Sequence, residues 1–173
     1  MEKIILAGGC FWCTEAVFTG VRGVISIVSG FSGGAIKNPA YREVCQGRTG
    51  HAECIELTYD PKELSLEVIL DLFFKTHDPT TLNRQGHDVG THYRSAIFYT
   101  TEDQKSTVGA YILALEQNSV YPSPIVTEVA PFDAFYPAEV EHQEYYKNNP
   151  NQPYCQFVIK PKLDKKEEYL TKK

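Results

Sequence analysis

The chain has 173 residues, 42% of them hydrophobic and 23% charged, with a formal net charge of −5. That length suits one domain burying about 70% of its unfolded surface, and the acidic balance argues against nucleic acid as a partner. No run approaches the ~20 apolar residues of a membrane span, and MEKIILAGG offers too short an apolar stretch for a signal peptide. The expectation is a cytoplasmic protein whose five cysteines rest as thiols, any disulfide being transient and catalytic.

Lys3 to Ala7 reads as a short buried strand closed by Gly8-Gly9, followed by a helix from about Cys10 to Thr19 that Gly20 stops. Val24 to Phe31 has the β-branched enrichment of a strand, and SGGAIKNPAY is a loop. His51 to Tyr59 alternates as a strand ended by Asp60-Pro61, and Ser65 caps a helix to about Thr76. His77 to Tyr93 lacks a clear period, and a loop of that length in a compact domain is usually functional. Ser95 to Thr100 is a strand, and Thr101 with Gln104 opens a helix to about Gln117 as a capping box. Beyond it come a strand over Ile125 to Ala130, a helix from Pro137 or Ala138 to Lys147, and a strand over Cys155 to Ile159. Several strand links are too short for parallel crossovers, so the fold class is α+β: a mixed, mainly antiparallel sheet covered by helices. The whole of 1–173 is expected to be a single catalytic domain, with about 161–173 as a charged C-terminal tail.

Chemistry concentrates in GGCFWCTEAVF. Cys10 follows two glycines and opens a helix, where unpaired N–H groups favour a thiolate. Cys13 completes a C-x-x-C spacing, a pattern of redox chemistry or metal binding. Phe11 and Trp12 point about 100° apart on a helix, so at least one lines a cleft beside the thiol rather than the core. In HAECIELTY the alternation puts Glu53 on one face with Ile55, Leu57 and Tyr59. A carboxyl there is costly unless paired or protonated, and burial would make it a general acid near neutral pH. Tyr41, Asp88 and Tyr93 sit in loops or at element edges, where hydroxyls can serve a developing oxyanion. His77, His87 and His92 fit no common zinc spacing, so neither metal nor cofactor is expected. On these residues alone, a thioredoxin-like disulfide oxidoreductase, a cysteine hydrolase and a binding module all remain open.

Taken together, GGCFWCTEAVF, GFSGG, NPAY, VCQGRTGHAE, YDP, HDPTTLNRQGHDVGTHYRSAI and PIVTEV resemble the A-type peptide methionine sulfoxide reductases, in order and over about two-thirds of the chain. The resemblance implies a plait of α and β elements around a mixed sheet. It also implies that Cys10 is the catalytic cysteine, Phe11 and Trp12 the methyl pocket, and Glu53 the acid. Tyr41 and Tyr93 become the oxygen-binding tyrosines, and Asp88 their supporting aspartate. The implied reaction is reduction of methionine (S)-sulfoxide, free or in oxidised proteins, through a Cys10 sulfenic acid that a second thiol and then thioredoxin reduce. The enzyme is expected to act as a monomer. Two departures stand out: Cys13 where the family usually has Gly, and His92 where it usually has Gln. Tyr154-Cys155 matches the family's recycling pair but is followed by strand-like QFVIKPKL instead of a glycine-rich tail. Cys155 is the first choice to resolve the sulfenic acid and Cys13 the second, with Cys45 and Cys54 behind them.

Overall fold

The computed structural model describes residues 1–172. A six-stranded sheet runs in the order β7-β6-β1-β3-β2-β8, built from β1 (Glu2–Gly8), β2 (Val24–Ser32), β3 (Ala52–Tyr59), β6 (Ser95–Tyr99), β7 (Glu128–Pro131) and β8 (Phe135–Pro137). All its pairings are antiparallel except β6 with β7. Ile4 to Ala7 are all fully buried, because β1 is covered on both faces. Ile4 and Leu6 join the main core with Ile55 and Leu57, while Ile5 and Ala7 join a smaller one with Cys54 and Ala96 on the other face. That alternation sets Glu53 against the main core and turns Cys54 away from it.

Helix α1 (Phe11–Phe18) and α3 (Leu66–Lys75) cover the main face. Ser65 Oγ caps α3 by accepting from Val68 N–H at 3.3 Å. Helix α2 (Tyr41–Cys45) is one short turn before β3. Thr101 Oγ1 caps α4 (Glu102–Gln117), accepting from Gln104 N–H at 3.1 Å. The Gln104 amide does not reach back to Thr101. It accepts from Thr100 N–H at 2.8 Å and donates to Lys3 O at 2.9 Å, tying α4 to β1. The expected loop of 77–93 contains a two-residue hairpin, β4 (Arg84–Gln85) with β5 (Asp88–Val89), and a 3₁₀ turn over Thr91–Tyr93.

Three segments differ from their sequence reading. The strand expected from Ile125 begins only at Glu128, because Val126 N–H is taken by Pro79 O at 2.8 Å. The single helix expected to Lys147 is a 3₁₀ turn, Val140–His142, and α5 (Tyr145–Asn148), broken at Glu144 with φ 51°. Gln143 lies in the break, where its side chain takes Ser29 N–H at 2.9 Å and gives to Ser29 O at 2.8 Å. Cys155–Ile159 is a π-helical turn, not a strand, and runs into α6 (Lys160–Thr171). Cys155 and Ile159 are fully buried while Phe157 is 82% exposed, a helical period that the apolar composition concealed. α6 is fastened by Lys166 Nζ donating to Thr19 O at 2.6 Å and Tyr169 donating to Asp71 at 2.5 Å. Among the described residues no helix is long and apolar enough to cross a membrane.

Candidate active site

Cys10 is the N-cap of α1, with extended backbone, at the end of β1. Gly9 before it has φ +95°, and a Cβ there would stand 2.7 Å from Gln85 Cγ. Only glycine lets the chain turn here while the β4–β5 hairpin closes over the thiol. From β3, fully buried Glu53 reaches the same helix end, and its Oε1 accepts from Phe11 N–H at 3.2 Å. This is the anion-favouring first turn of a helix, yet burial dominates and pushes the Glu53 carboxyl up to about 8. Burial likewise raises the Cys10 thiol well above its usual range, against the thiolate expected from the helix position.

Aromatic rings wall the other side. Phe11 is fully buried, its centroid 5.6 Å from Phe31 and 6.1 Å from Tyr41. Trp12 stacks on Tyr145 at 3.7 Å, and its indole N–H donates to His142 Nδ1 at 3.2 Å. The His142 ring in turn stacks on Tyr41 at 4.1 Å. Burial, then the nearby Glu53 carboxyl, raises the Tyr41 and Tyr93 hydroxyls far above the ordinary phenol range, so both stay protonated donors.

A third cluster lies toward the C-terminal segment. Tyr154 donates to Asp88 Oδ2 at 2.6 Å, and its oxygen lies 3.6 Å from Cys13 Sγ. The hydrogen-bond partner of Asp88 is thus Tyr154, not Tyr41 or Tyr93. A cavity of about 420 Å³ opens over Cys10 and Cys13, lined also by Gln85, Asp88, Tyr154 and Lys162. All five cysteines are free. Cys10 and Cys13 are hydrogen-bonded to each other, which lowers Cys13 and raises Cys10. Burial raises Cys155, and the thiol whose charge it feels is Cys13.

The family model for peptide methionine sulfoxide reductase matches residues 2–173. The chain belongs to the peptide methionine sulfoxide reductase family. It is 54% identical to the peptide methionine sulfoxide reductase MsrA of Deinococcus radiodurans over 97% of this chain and 82% of that one. Against the MsrA of Trichodesmium erythraeum it is 50% identical over 98% and 96% of the two chains. Mxr1 from Saccharomyces cerevisiae in its reduced form superposes with a TM-score of 0.83 at 33% identity, covering 89% of this chain and 88% of that one.

Within this family fold, three side chains that the sequence does not single out join the site: His142 and Tyr145 pack on Trp12, and Tyr154 lines the cavity over Cys10 and Cys13. EHQEYY reads as a polar helical run, and the signal in it was a histidine and a tyrosine three residues apart. His77, considered for metal, is instead held by Phe73 O at 2.6 Å and Ser95 Oγ at 2.8 Å. Burial pushes it down to about 4, so it is neutral and structural.

Proposed function

We propose that this reductase works by attack of Cys10 on the sulfur of methionine (S)-sulfoxide, with Glu53 as the acid. The observation that carries the proposal is a buried carboxyl, protonated below about pH 8, hydrogen-bonded to the same helix turn that Cys10 caps. As the Cys10 sulfur bonds to the sulfoxide sulfur, Glu53 protonates the oxygen and takes the Cys10 proton in exchange; the oxygen then passes to the Cys10 sulfur as the S–O and S–S bonds to the methionine sulfur break, and methionine leaves with two electrons gained. The product on the enzyme is a Cys10 sulfenic acid. Tyr41 and Tyr93 donate to the oxygen, and Trp12, backed by buried Phe11, receives the methyl group. Only the S epimer puts oxygen on the donors and methyl on the aromatic wall together.

Cys13 then condenses with the sulfenic acid, expelling water and forming a Cys10–Cys13 disulfide. Cys155 follows by attacking Cys13. Support comes from the existing Cys10–Cys13 hydrogen bond and from Tyr154, next to Cys155 in the chain, whose oxygen lies 3.6 Å from Cys13 Sγ. This reverses the order expected from the Tyr154-Cys155 pair. Asp88 holds Tyr154 and so acts on the recycling end of the site.

The enzyme is a single catalytic domain over 1–173. It acts as a monomer in the cytoplasm, repairs oxidised proteins and free methionine sulfoxide, and takes its electrons from thioredoxin. Mxr1 of yeast has been crystallised in complex with Trx2. The test is reduction of a methionine sulfoxide peptide with a dithiol, then with thioredoxin, in the parent and in Cys10→Ser and Glu53→Gln. Loss of activity in both variants is expected, and normal turnover in either removes its residue from the mechanism.

A further inference from the structure

Behind the acid, Glu53 Oε2 and His92 Nδ1 are both buried without a hydrogen-bond partner among the described residues. Glu53 is fully buried and His92 is 6% exposed. Leaving a buried polar atom unpaired costs about 1–3 kcal/mol, so both orphans need a reason. Cys45, the last residue of α2, completes the arrangement. One sulfur, one carboxylate oxygen and one imidazole nitrogen lie within 4.8 Å of one another.

We propose that Cys45, Glu53 and His92 form a binding site for a borderline divalent ion such as Zn²⁺, and that filling it shuts the reductase off. The donor set of thiolate, carboxylate and imidazole is one that zinc prefers, with three protein ligands leaving a fourth position open. Tetrahedral zinc at about 2.0–2.3 Å from each ligand needs donors about 3.3–3.7 Å apart. Separations of no more than 4.8 Å need close by at most about 1–1.5 Å, within reach of α2 and the Thr91–Tyr93 turn, both short elements joined to loops. On binding, the Cys45 thiol and the Glu53 carboxyl surrender their protons to solvent and no electrons move. The trio of Glu139, Glu141 and His142, whose two carboxylates are exposed, carries no such argument, because none of its atoms is a buried polar atom left without a partner.

Shut-off follows because a metal-bound Glu53 has no proton to give; this part rests on Glu53 being the acid. The family usually carries Gln at the position of His92, which lacks the imidazole ligand, so metal sensitivity would be a property of this chain's departure.

The probe is Co²⁺ as a spectroscopic substitute, then Zn²⁺, on the reduced full chain in a phosphine reductant. One equivalent of Co²⁺ is expected to give a thiolate-to-metal charge-transfer band and intense tetrahedral d–d bands. Both persist in Cys10→Ser with Cys13→Ser, and both are lost in Cys45→Ser. His92→Gln and Cys45→Ser should retain activity in chelator and need about tenfold or more Zn²⁺ for the same inhibition, since even outer-shell losses cost 10–100-fold. Bands that vanish with Cys10 and Cys13 but survive Cys45→Ser would overturn the proposal in favour of C-x-x-C chelation, and so would no binding at all. Metal bound by Cys45 and His92 with full activity retained would overturn the shut-off, while the acid role of Glu53 is judged apart from it by the metal-free rate of Glu53→Gln.

Discussion

Tyr154 gives its one hydroxyl proton to Asp88 at 2.6 Å while its oxygen stands 3.6 Å from Cys13. In that state the Cys13 S–H donates to the tyrosine oxygen. The residue preceding Cys155 is thereby tied to both the β4–β5 hairpin and the C-x-x-C turn. Oxidation of Cys13 removes its proton from this chain of contacts, leaving Tyr154 held by Asp88 alone.

Tyr154→Phe should therefore separate the two halves of the cycle. Methionine formation in a single turnover should stay close to the parent rate, while turnover driven by thioredoxin slows. The lost bond to a half-buried carboxylate should lower stability by about 1–2 kcal/mol in denaturant titration. Equal loss in single and multiple turnover would place Tyr154 in the sulfoxide step instead.

Glu53→Gln should slow the sulfoxide step about 10²–10⁴-fold with little change in substrate binding. In the parent, the single-turnover rate should fall as pH rises through about 8, where the buried carboxyl loses its proton. Stability has the same sign. The folded carboxyl sits at about 8 against about 4.3 in an unfolded chain, so the native state holds the extra proton between those values. Stability contributed by Glu53 is complete below the lower value and is lost as pH rises to the upper one. Urea midpoints of Glu53→Gln should lose that part of the pH dependence and exceed the parent's above pH 8. A parent midpoint that rose across this window on account of Glu53 would refute the burial argument.

Strand alternation made Glu53 legible from HAECIELTY, because a period of two assigns faces without any tertiary knowledge. The glycines before Cys10 and the caps at Ser65 and Thr101 were equally local signals. Cys155–Ile159 was misread because a short apolar β-branched run has no period of its own, and its helical burial is set by what α6 packs on. His142 escaped for another reason: Trp12 and His142 are 130 residues apart, and nothing local in either segment announces the contact.

That contact is open to test. His142→Ala leaves the Trp12 indole N–H unpaired and uncovers one side of Tyr41, so the aromatic wall loosens. Steady-state kinetics should show kcat/KM on a methionine sulfoxide peptide reduced about tenfold, equivalent to about 1.4 kcal/mol. His142→Gln, which keeps an acceptor, should recover part of it. Parent kinetics in His142→Ala would leave the ring with no part in holding Trp12.

For the thiols, one turnover without reductant followed by alkylation and peptide mapping should yield a Cys10–Cys13 link in Cys155→Ser. The parent should yield Cys13–Cys155, with Cys10 free again. A direct Cys10–Cys155 link in Cys13→Ser, formed at the parent rate, would eliminate Cys13 as intermediary.

The central claim is that the Cys10 sulfur takes the oxygen from methionine (S)-sulfoxide. It is tested most directly in the Cys13→Ser/Cys155→Ser double variant, mixed with each epimer of a methionine sulfoxide peptide in the absence of reductant. The account predicts one equivalent of methionine from the S epimer, none from the R epimer, and one equivalent of sulfenic acid trapped by a dimedone-type reagent on Cys10. Methionine formed without a trapped Cys10 adduct, or formed equally from both epimers, would contradict it.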